Sequence, residues 1–247
     1  MPTIHVACLP TLLPAGGQPI DIAVVIDTLR FTTTACQAIA VGASQIVVAA
    51  EVEAARNLAK FSPEMLLCGE RLCRPIAGFH LGNSPLEYTS SSVAARPLIF
   101  TTTNGTLAVQ AAASAEQVIL GSLVNRTAAA KQLDNRDAWI ICSGTDGQIA
   151  GEDLLAAGAI ITALQTRHPS TRLGNDSAML ACEIWRGFEF LEPDLRSAKI
   201  VESMRRFAGG HNLIENGYEQ DLLFAAHVDS VAVVPHNVPN DKVRFVA

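Results

Sequence analysis

Short runs of β-branched and aliphatic residues alternate along this chain with helix-period segments, and that alternation leaves few architectures open. DIAVVIDTL (21–29) precedes TTTACQAIAVGA (32–43), and QIVVAA (45–50) precedes EVEAARNLAK (51–60). EMLLCGE (64–70) reads as a further strand, and PLIFTTT (97–103) leads into a helix predicted from about Asn104 to Ala113. QVILGSL (117–123) precedes NRTAAAKQL (125–133), and AWIICSGT (138–145) precedes EDLLAAGAIITALQ (152–165). Each strand–helix–strand step needs a crossover, and crossovers put helices on both faces of a largely parallel sheet. Beyond residue 174 the pattern turns helical, in DSAMLACEIWRGF, DLRSAKIVESMRRFA and YEQDLLFAAHVD, before a last strand, SVAVVPHN (230–237). No linker rich in Gly, Ser or Pro divides the chain. One domain over 1–247 is expected, with 170–175 as the place for any subdivision into a sheet core and a helical C-terminal portion.

The core must come from small and aliphatic side chains, because 49% of residues are hydrophobic and only 5% aromatic. The net charge of −6 is spread along the chain, which argues against nucleic acid or an anionic membrane as partner. The longest apolar stretch, near Leu154–Leu164, falls short of the roughly 18–20 residues of a membrane span. The opening MPTIHVACLPTLLPAGG has no basic n-region and is broken by prolines, so a cytoplasmic protein is expected. Cysteines 8, 36, 68, 73, 142 and 182 form no CxxC pair and read as reduced thiols. The histidines lack zinc-ligand spacing. The helical second half offers surface for a possible homodimer.

Function is to be sought at the carboxyl ends of the strands, where open α/β sheets bind ligands. These ends carry one recurring chemistry. The first gives Asp27-Thr28-Leu29-Arg30 and then Thr32 to Thr34; the next gives Gly69-Glu70-Arg71. Thr101-Thr102-Thr103-Asn104-Gly105-Thr106 follows, then Gly121-Ser122 with Asn125-Arg126, and Ser143-Gly144-Thr145 with Glu152-Asp153. Helix N-termini, hydroxyls and glycines suit an anion, and arginine suits phosphate or carboxylate. Carboxylates beside them would repel such an anion unless a hard cation such as Mg²⁺ lies between. Each group also has a plain structural use: hydroxyls before helices are ordinary caps, and acids in a first turn complement the helix dipole.

The segment between Glu70 and Pro97 is long for a connection in a compact domain, and such loops are often functional. Within it Ser84-Pro85-Leu86-Glu87 fits a capping box. There is no GxxxxGK[ST] and no GxGxxG after a strand. Asp27-Thr28-Leu29 lacks the second aspartate of haloacid-dehalogenase-type phosphatases, and Cys142 lacks the Cx₅R loop of cysteine phosphatases.

VVIDTLRFTTT (24–34), GER (69–71), GFHLGNSPLE (78–87), TTTNGT (101–106), GSLVN (121–125), CSGTDG (142–147), EDLLAAG (152–158) and GYEQDL…VDSVAVVP (217–235) resemble, in order, the 2-phosphosulfolactate phosphatase family of ComB-type enzymes. The resemblance implies a three-layer α/β/α fold with a largely parallel or mixed sheet. It also implies a Mg²⁺-dependent phosphoric monoester hydrolase that converts 2-phospho-3-sulfolactate to 3-sulfolactate and phosphate, a step toward coenzyme M. Three positions depart from the family pattern: His80 stands where aspartate is usual, Cys73 where glycine is usual, and Ala225 where cysteine is common.

On this reading Asp27, Arg30 and Arg71 are the catalytic candidates, and Asp27, Glu70, Glu152 and Asp153 the metal candidates. Thr102, Thr103, Asn104, Gly105 and Thr106 would cradle the phosphate, with Asn83 and Ser84 completing a second pocket. The expected partner is a small anionic phosphorylated substrate. The nucleophile stays open between Asp27, a water and Cys142. Two other functions remain open, a non-catalytic binder of a phosphorylated metabolite and an amidase using Cys142 with a histidine.

Overall fold

A computed structural model describes residues 2–14 and 20–247 of the chain. Its strands in chain order are β1 (Thr3–Ala7), β2 (Ile20–Ile26), β3 (Gln45–Val48), β4 (Leu66–Arg71), β5 (Arg74–Pro75), β6 (Pro97–Thr101), β7 (Ala115–Gly121), β8 (Ala138–Cys142), β9 (Arg172–Leu173), β10 (His236–Val238) and β11 (Asp241–Val246). The helices are α1 (Phe31–Ala40), α2 (Val52–Phe61), α3 (Ser90–Val93), α4 (Gly105–Ala111), α5 (Arg126–Gln132), α6 (Gly151–Arg167), α7 (Asp176–Glu189), α8 (Pro193–Met204), α9 (Ala208–Glu215) and α10 (Glu219–Ala225).

The strands form one mixed sheet in the order β5-β4-β6-β3-β11-β10-β7-β2-β8-β1-β9. It is built from two parallel blocks. β4, β6 and β3 pair in parallel, as do β7, β2, β8, β1 and β9. The C-terminal hairpin β10–β11 stitches the blocks together: β11 runs antiparallel to β3 and β10 antiparallel to β7. Side chains of β2 alternate between the two faces. Ile22, Val24 and Ile26 join the core beneath α5, α6 and α7, whereas Ala23 and Val25 join the core beneath α1 and α4. That is the three-layer α/β/α arrangement, and it follows from strands buried on both faces. Small residues let the layers close up; α6 is buried along most of its length, lined with alanines that pack on α7. No helix among the described residues is long and apolar enough to cross a membrane.

The structure corrects the sequence reading at three places. β1 was not anticipated, because His5 interrupts its apolar run; the ring stacks on Trp139 at 4.7 Å. The last strand does not begin at Ser230. Residues 231–235 instead run beside the end of β7 and the turn after it, with Val231 N–H donating to Val124 O and Leu120 N–H to Pro235 O. The pairing strand is His236–Val238, and a further strand, β11, follows it. Ser84 makes no cap bond, so Ser84 to Glu87 is not a capping box. Its hydroxyl donates to Asp221 at 2.6 Å, and Glu87 accepts from Gly82 N–H. The reciprocal box of this region lies one turn later, between Thr89 and Ser92.

Candidate active site

Four strand ends from both parallel blocks, those of β2, β4, β6 and β8, open onto one cleft of about 280 Å³. Asp27 and Arg30 follow β2, Glu70 ends β4 with Cys73 just beyond, Thr103 and Asn104 follow β6, and Thr145 and Asp146 follow β8. Asn83 reaches in from the long loop, and α9 brings Gly209, Asn212 and Asn216.

Threonines hold the loop after β2 in shape. Thr32 Oγ1 accepts from Asp27 N–H and donates to Asp27 O, both at 3.0 Å. Thr33 donates to Thr28 O at 2.8 Å, and Thr34 to Asn83 O at 2.8 Å. These hydroxyls lie inside the protein and act as staples. Asp27 is thereby fixed against the first turn of α4. A Cβ on Gly105 would stand 2.6 Å from Asp27 Oδ2 and 2.5 Å from Phe31 Cδ1, so only glycine admits this approach. The segment TTTNGT divides its work. Thr102 and Thr106 cap one another, with Thr102 N–H to Thr106 Oγ1 at 3.0 Å and Thr106 N–H to Thr102 Oγ1 at 3.2 Å. Thr103 and Asn104 face the cleft.

The carboxylates are not equivalent. Glu70 accepts from Thr103 N–H and Oγ1 through Oε1 and from Cys73 N–H through Oε2. Asp153 clasps the ends of β2 and β8, accepting from Thr28 N–H at 2.8 Å, Ser143 Oγ at 3.0 Å and Gly144 N–H at 3.0 Å. Glu152 is buried and Oε2 has no partner; a Cβ on Gly209 would overlap its Oε1. Asp27 itself is 6% exposed. Burial raises its carboxyl well above the usual range, and Asp153 and Glu70 raise it further. Burial and Asp153 push Glu152 to about 8. Burial carries Asp153 to about 6, against the pull of its hydrogen bonds from Thr28, Gly144 and Ser143. Such mutual repulsion among acids is what a cation relieves. Among the described residues no three His, Cys, Asp or Glu side chains form a ready-made metal cage.

Arg30 is the guanidinium of the cleft. Its Nη1 pairs with Asp221 Oδ2 at 2.8 Å, Nη2 donates to Cys73 O at 2.9 Å, and the group stacks on the Tyr218 ring at 4.3 Å. Arg71 turns back onto its own sheet edge, donating to Glu70 O and Thr101 Oγ1, and does not line the cleft. Ser84 does not line the cleft either; its hydroxyl donates to Asp221, the partner of Arg30. Cys142 is fully buried and burial raises its thiol well above the ordinary value, which removes it from reach of a substrate. His80 accepts from Leu67 N–H through Nδ1 and stays outside the cleft.

Sequence reasoning passed over the α9 wall and the Asp221–Tyr218 support of Arg30. Strand-end inspection reaches only β-to-α loops, whereas α9 and α10 arrive by tertiary docking. The one available signal was GYEQDL, which matched without a role being drawn from it.

Residues 8–239 match the family model described as 2-phosphosulpholactate phosphatase. A protein of Symbiobacterium thermophilum named as a probable 2-phosphosulfolactate phosphatase is 38% identical over 226 residues, 90% of this chain and 93% of the relative. Proteins with the same name from Deinococcus radiodurans and Caldanaerobacter subterraneus are 36% and 41% identical; the alignments cover 96% and 86% of this chain and 97% and 86% of those proteins.

Proposed function

The chain belongs to the 2-phosphosulpholactate phosphatase family, and from that membership and the cleft we propose that it hydrolyses 2-phospho-3-sulfolactate to 3-sulfolactate and inorganic phosphate. It is a phosphoric monoester hydrolase. The observation that carries the reading is the meeting of Asp27 with the Thr103–Gly105 turn, two polar strand ends more than 70 positions apart in sequence and in contact at the cleft floor.

Asn104 presents the phosphate with its amide at the start of α4, beside Thr103, whose N–H and hydroxyl are held by Glu70. Asn83, 4% exposed with Oδ1 unpartnered, completes the lining from the loop side. Arg30, fixed by Asp221, Cys73 and Tyr218, sets an immobile positive edge that needs no reorganisation as charge moves. Asp27 is the reacting carboxylate, either attacking phosphorus or taking a proton from an attacking water. Glu70 holds Thr103 and the turn at Cys73 at fixed distance from it.

The donor set suits a hard cation held sparsely. Asp27 and Glu70 open onto the cleft, and one or two carboxylates completed by water and substrate phosphate is the usual manner of Mg²⁺. When bound, Mg²⁺ would neutralise phosphate charge and lower the Asp27 pKa. Asp153 is committed to its clasp, and Glu152 sits behind Gly209.

The test is phosphate release from 2-phospho-3-sulfolactate, 2-phospholactate, phosphoglycolate and 2-phosphoglycerate, with and without Mg²⁺. Turnover of the sulfonate substrate above the others supports the reading; no release from any of them under any metal condition ends it. Acid-quench trapping of an acyl phosphate, against solvent ¹⁸O entering phosphate in a single turnover, separates attack by Asp27 from attack by water.

A further inference from the structure

The cleft has a second polar corner that the phosphate end leaves unused. Thr145 follows β8, and Gly209 opens the inward face of α9; a Cβ on Gly209 would stand 3.3 Å from Thr145 Oγ1. Asn212 lies three residues further along that helix and lines the same cleft, with Leu213 beside it. Asn216, one turn on, has its amide engaged already, accepting from Arg74 Nε at 3.0 Å and donating to Asn212 O at 2.9 Å. Among the described residues Asn212 and Thr145 make no such side-chain bond, so their donors face the cleft unspent.

Charge narrows what this corner takes. The guanidinium of the cleft is already committed to Asp221 and Cys73 O, Asp146 and Asp27 are acids, and Glu152 stands behind Gly209, where a Cβ would overlap its Oε1. A second anionic group on the substrate therefore meets neutral donors. A carboxylate concentrates its charge on two oxygens and is costly to desolvate without a cation. A sulfonate spreads the charge over three oxygens, each able to accept from an amide or hydroxyl.

We propose that Asn212, assisted by Thr145, binds the sulfonate of the substrate through uncharged donors and so sets the preference for 2-phospho acids that carry one. The proposal rests on the phosphatase reading above. It is tested by kcat/KM for 2-phospho-3-sulfolactate and for 2-phospholactate in the wild type, Asn212→Ala, Asn212→Asp and Asn212→Gln. The ratio of the two is expected to fall at least tenfold in Asn212→Ala, the scale of a lost hydrogen bond to a charged group. It falls further in Asn212→Asp, recovers in part in Asn212→Gln, and the change lies in KM more than in kcat. Equal losses on both substrates, or an unaltered ratio, overturn it. If the wild type turns over neither substrate the phosphatase reading fails, and calorimetric binding of 3-sulfolactate then decides this one separately. Binding at least tenfold weaker in Asn212→Asp sustains it; equal binding or none refutes it.

Discussion

Replacing Asp221 with alanine removes the partner of a buried guanidinium. Arg30 and Asp221 meet at 2.8 Å with side chains 3% and 2% exposed, so solvent screens the pair little. Removing one member of a buried pair typically costs about 3–5 kcal/mol, because the remaining charge stays desolvated. Ser84 Oγ loses its acceptor in the same change. Arg30 keeps only Cys73 O and the Tyr218 face. For 247 residues an unfolding entropy of about 2.1 cal/mol/K per residue gives about 0.5 kcal/mol/K, so the melting temperature should drop by about 6–10 °C. Urea unfolding and calorimetry at pH 7 measure both quantities. Arg30→Met combined with Asp221→Leu removes both charges, and this double variant should be less destabilised than Asp221→Ala alone. A loss below about 1 kcal/mol in Asp221→Ala, or a double-variant cost equal to the sum of the singles, would show that the pair does not hold Arg30 in the way described.

Gly105→Ala drives a Cβ into Asp27 Oδ2 and Phe31; stability should fall by about 1–3 kcal/mol and turnover by about 100-fold or more, read by unfolding and phosphate release. Glu152 titrates near 8 in the folded protein against an ordinary 4.5, so between those values the folded state holds the extra proton. The Glu152 contribution to metal-free stability should be fullest below about pH 4.5 and decline by up to about 1.4 kcal/mol per pH unit as pH rises toward 8. Glu152→Gln should flatten that part of the melting-temperature profile, and an unaltered profile would count against it. Among the described residues the acids Asp27, Glu70 and Asp146 outnumber the one guanidinium lining the cleft, so calorimetry should find orthovanadate binding at least tenfold tighter with Mg²⁺ than with EDTA; equal affinity would remove the case for a cation.

The alternation of strands and helices was legible because β-branched runs and helical periods differ in spacing. The sheet's centre was not, since β11 is diluted by Asp241, Lys242 and Arg244, and its pairing between β3 and β10 depends on long-range closure. At the cleft, Asp27, Arg30, Glu70, Thr103 and Asn104 could be gathered from sequence, because strand ends of an α/β sheet converge on one edge, and Asn83 came only with the family resemblance of its loop. Their neighbours show the boundary of that rule. Thr102, Thr106, Ser84 and Asp153 have the same chemistry as ligand contacts, yet their hydrogen bonds point inward. A hydroxyl or carboxylate carries no mark in sequence of which way it will turn. Cys73 adopts φ +63°, which gives a physical reason for the glycine usual there in the family. Asn212 left no signal, because α9 reaches the cleft only once the helical second half has docked.

The most direct measurement is phosphate release from 2-phospho-3-sulfolactate by wild type and Asp27→Asn, with Mg²⁺ present. Asparagine removes a carboxylate that burial, Asp153 and Glu70 all oppose, so the variant should remain folded and melt no lower than wild type. Its kcat should nevertheless fall at least about 1,000-fold, on the scale of losing a principal reacting group. Retention of activity within about tenfold by a folded Asp27→Asn would contradict the placement of the reaction at this cleft floor.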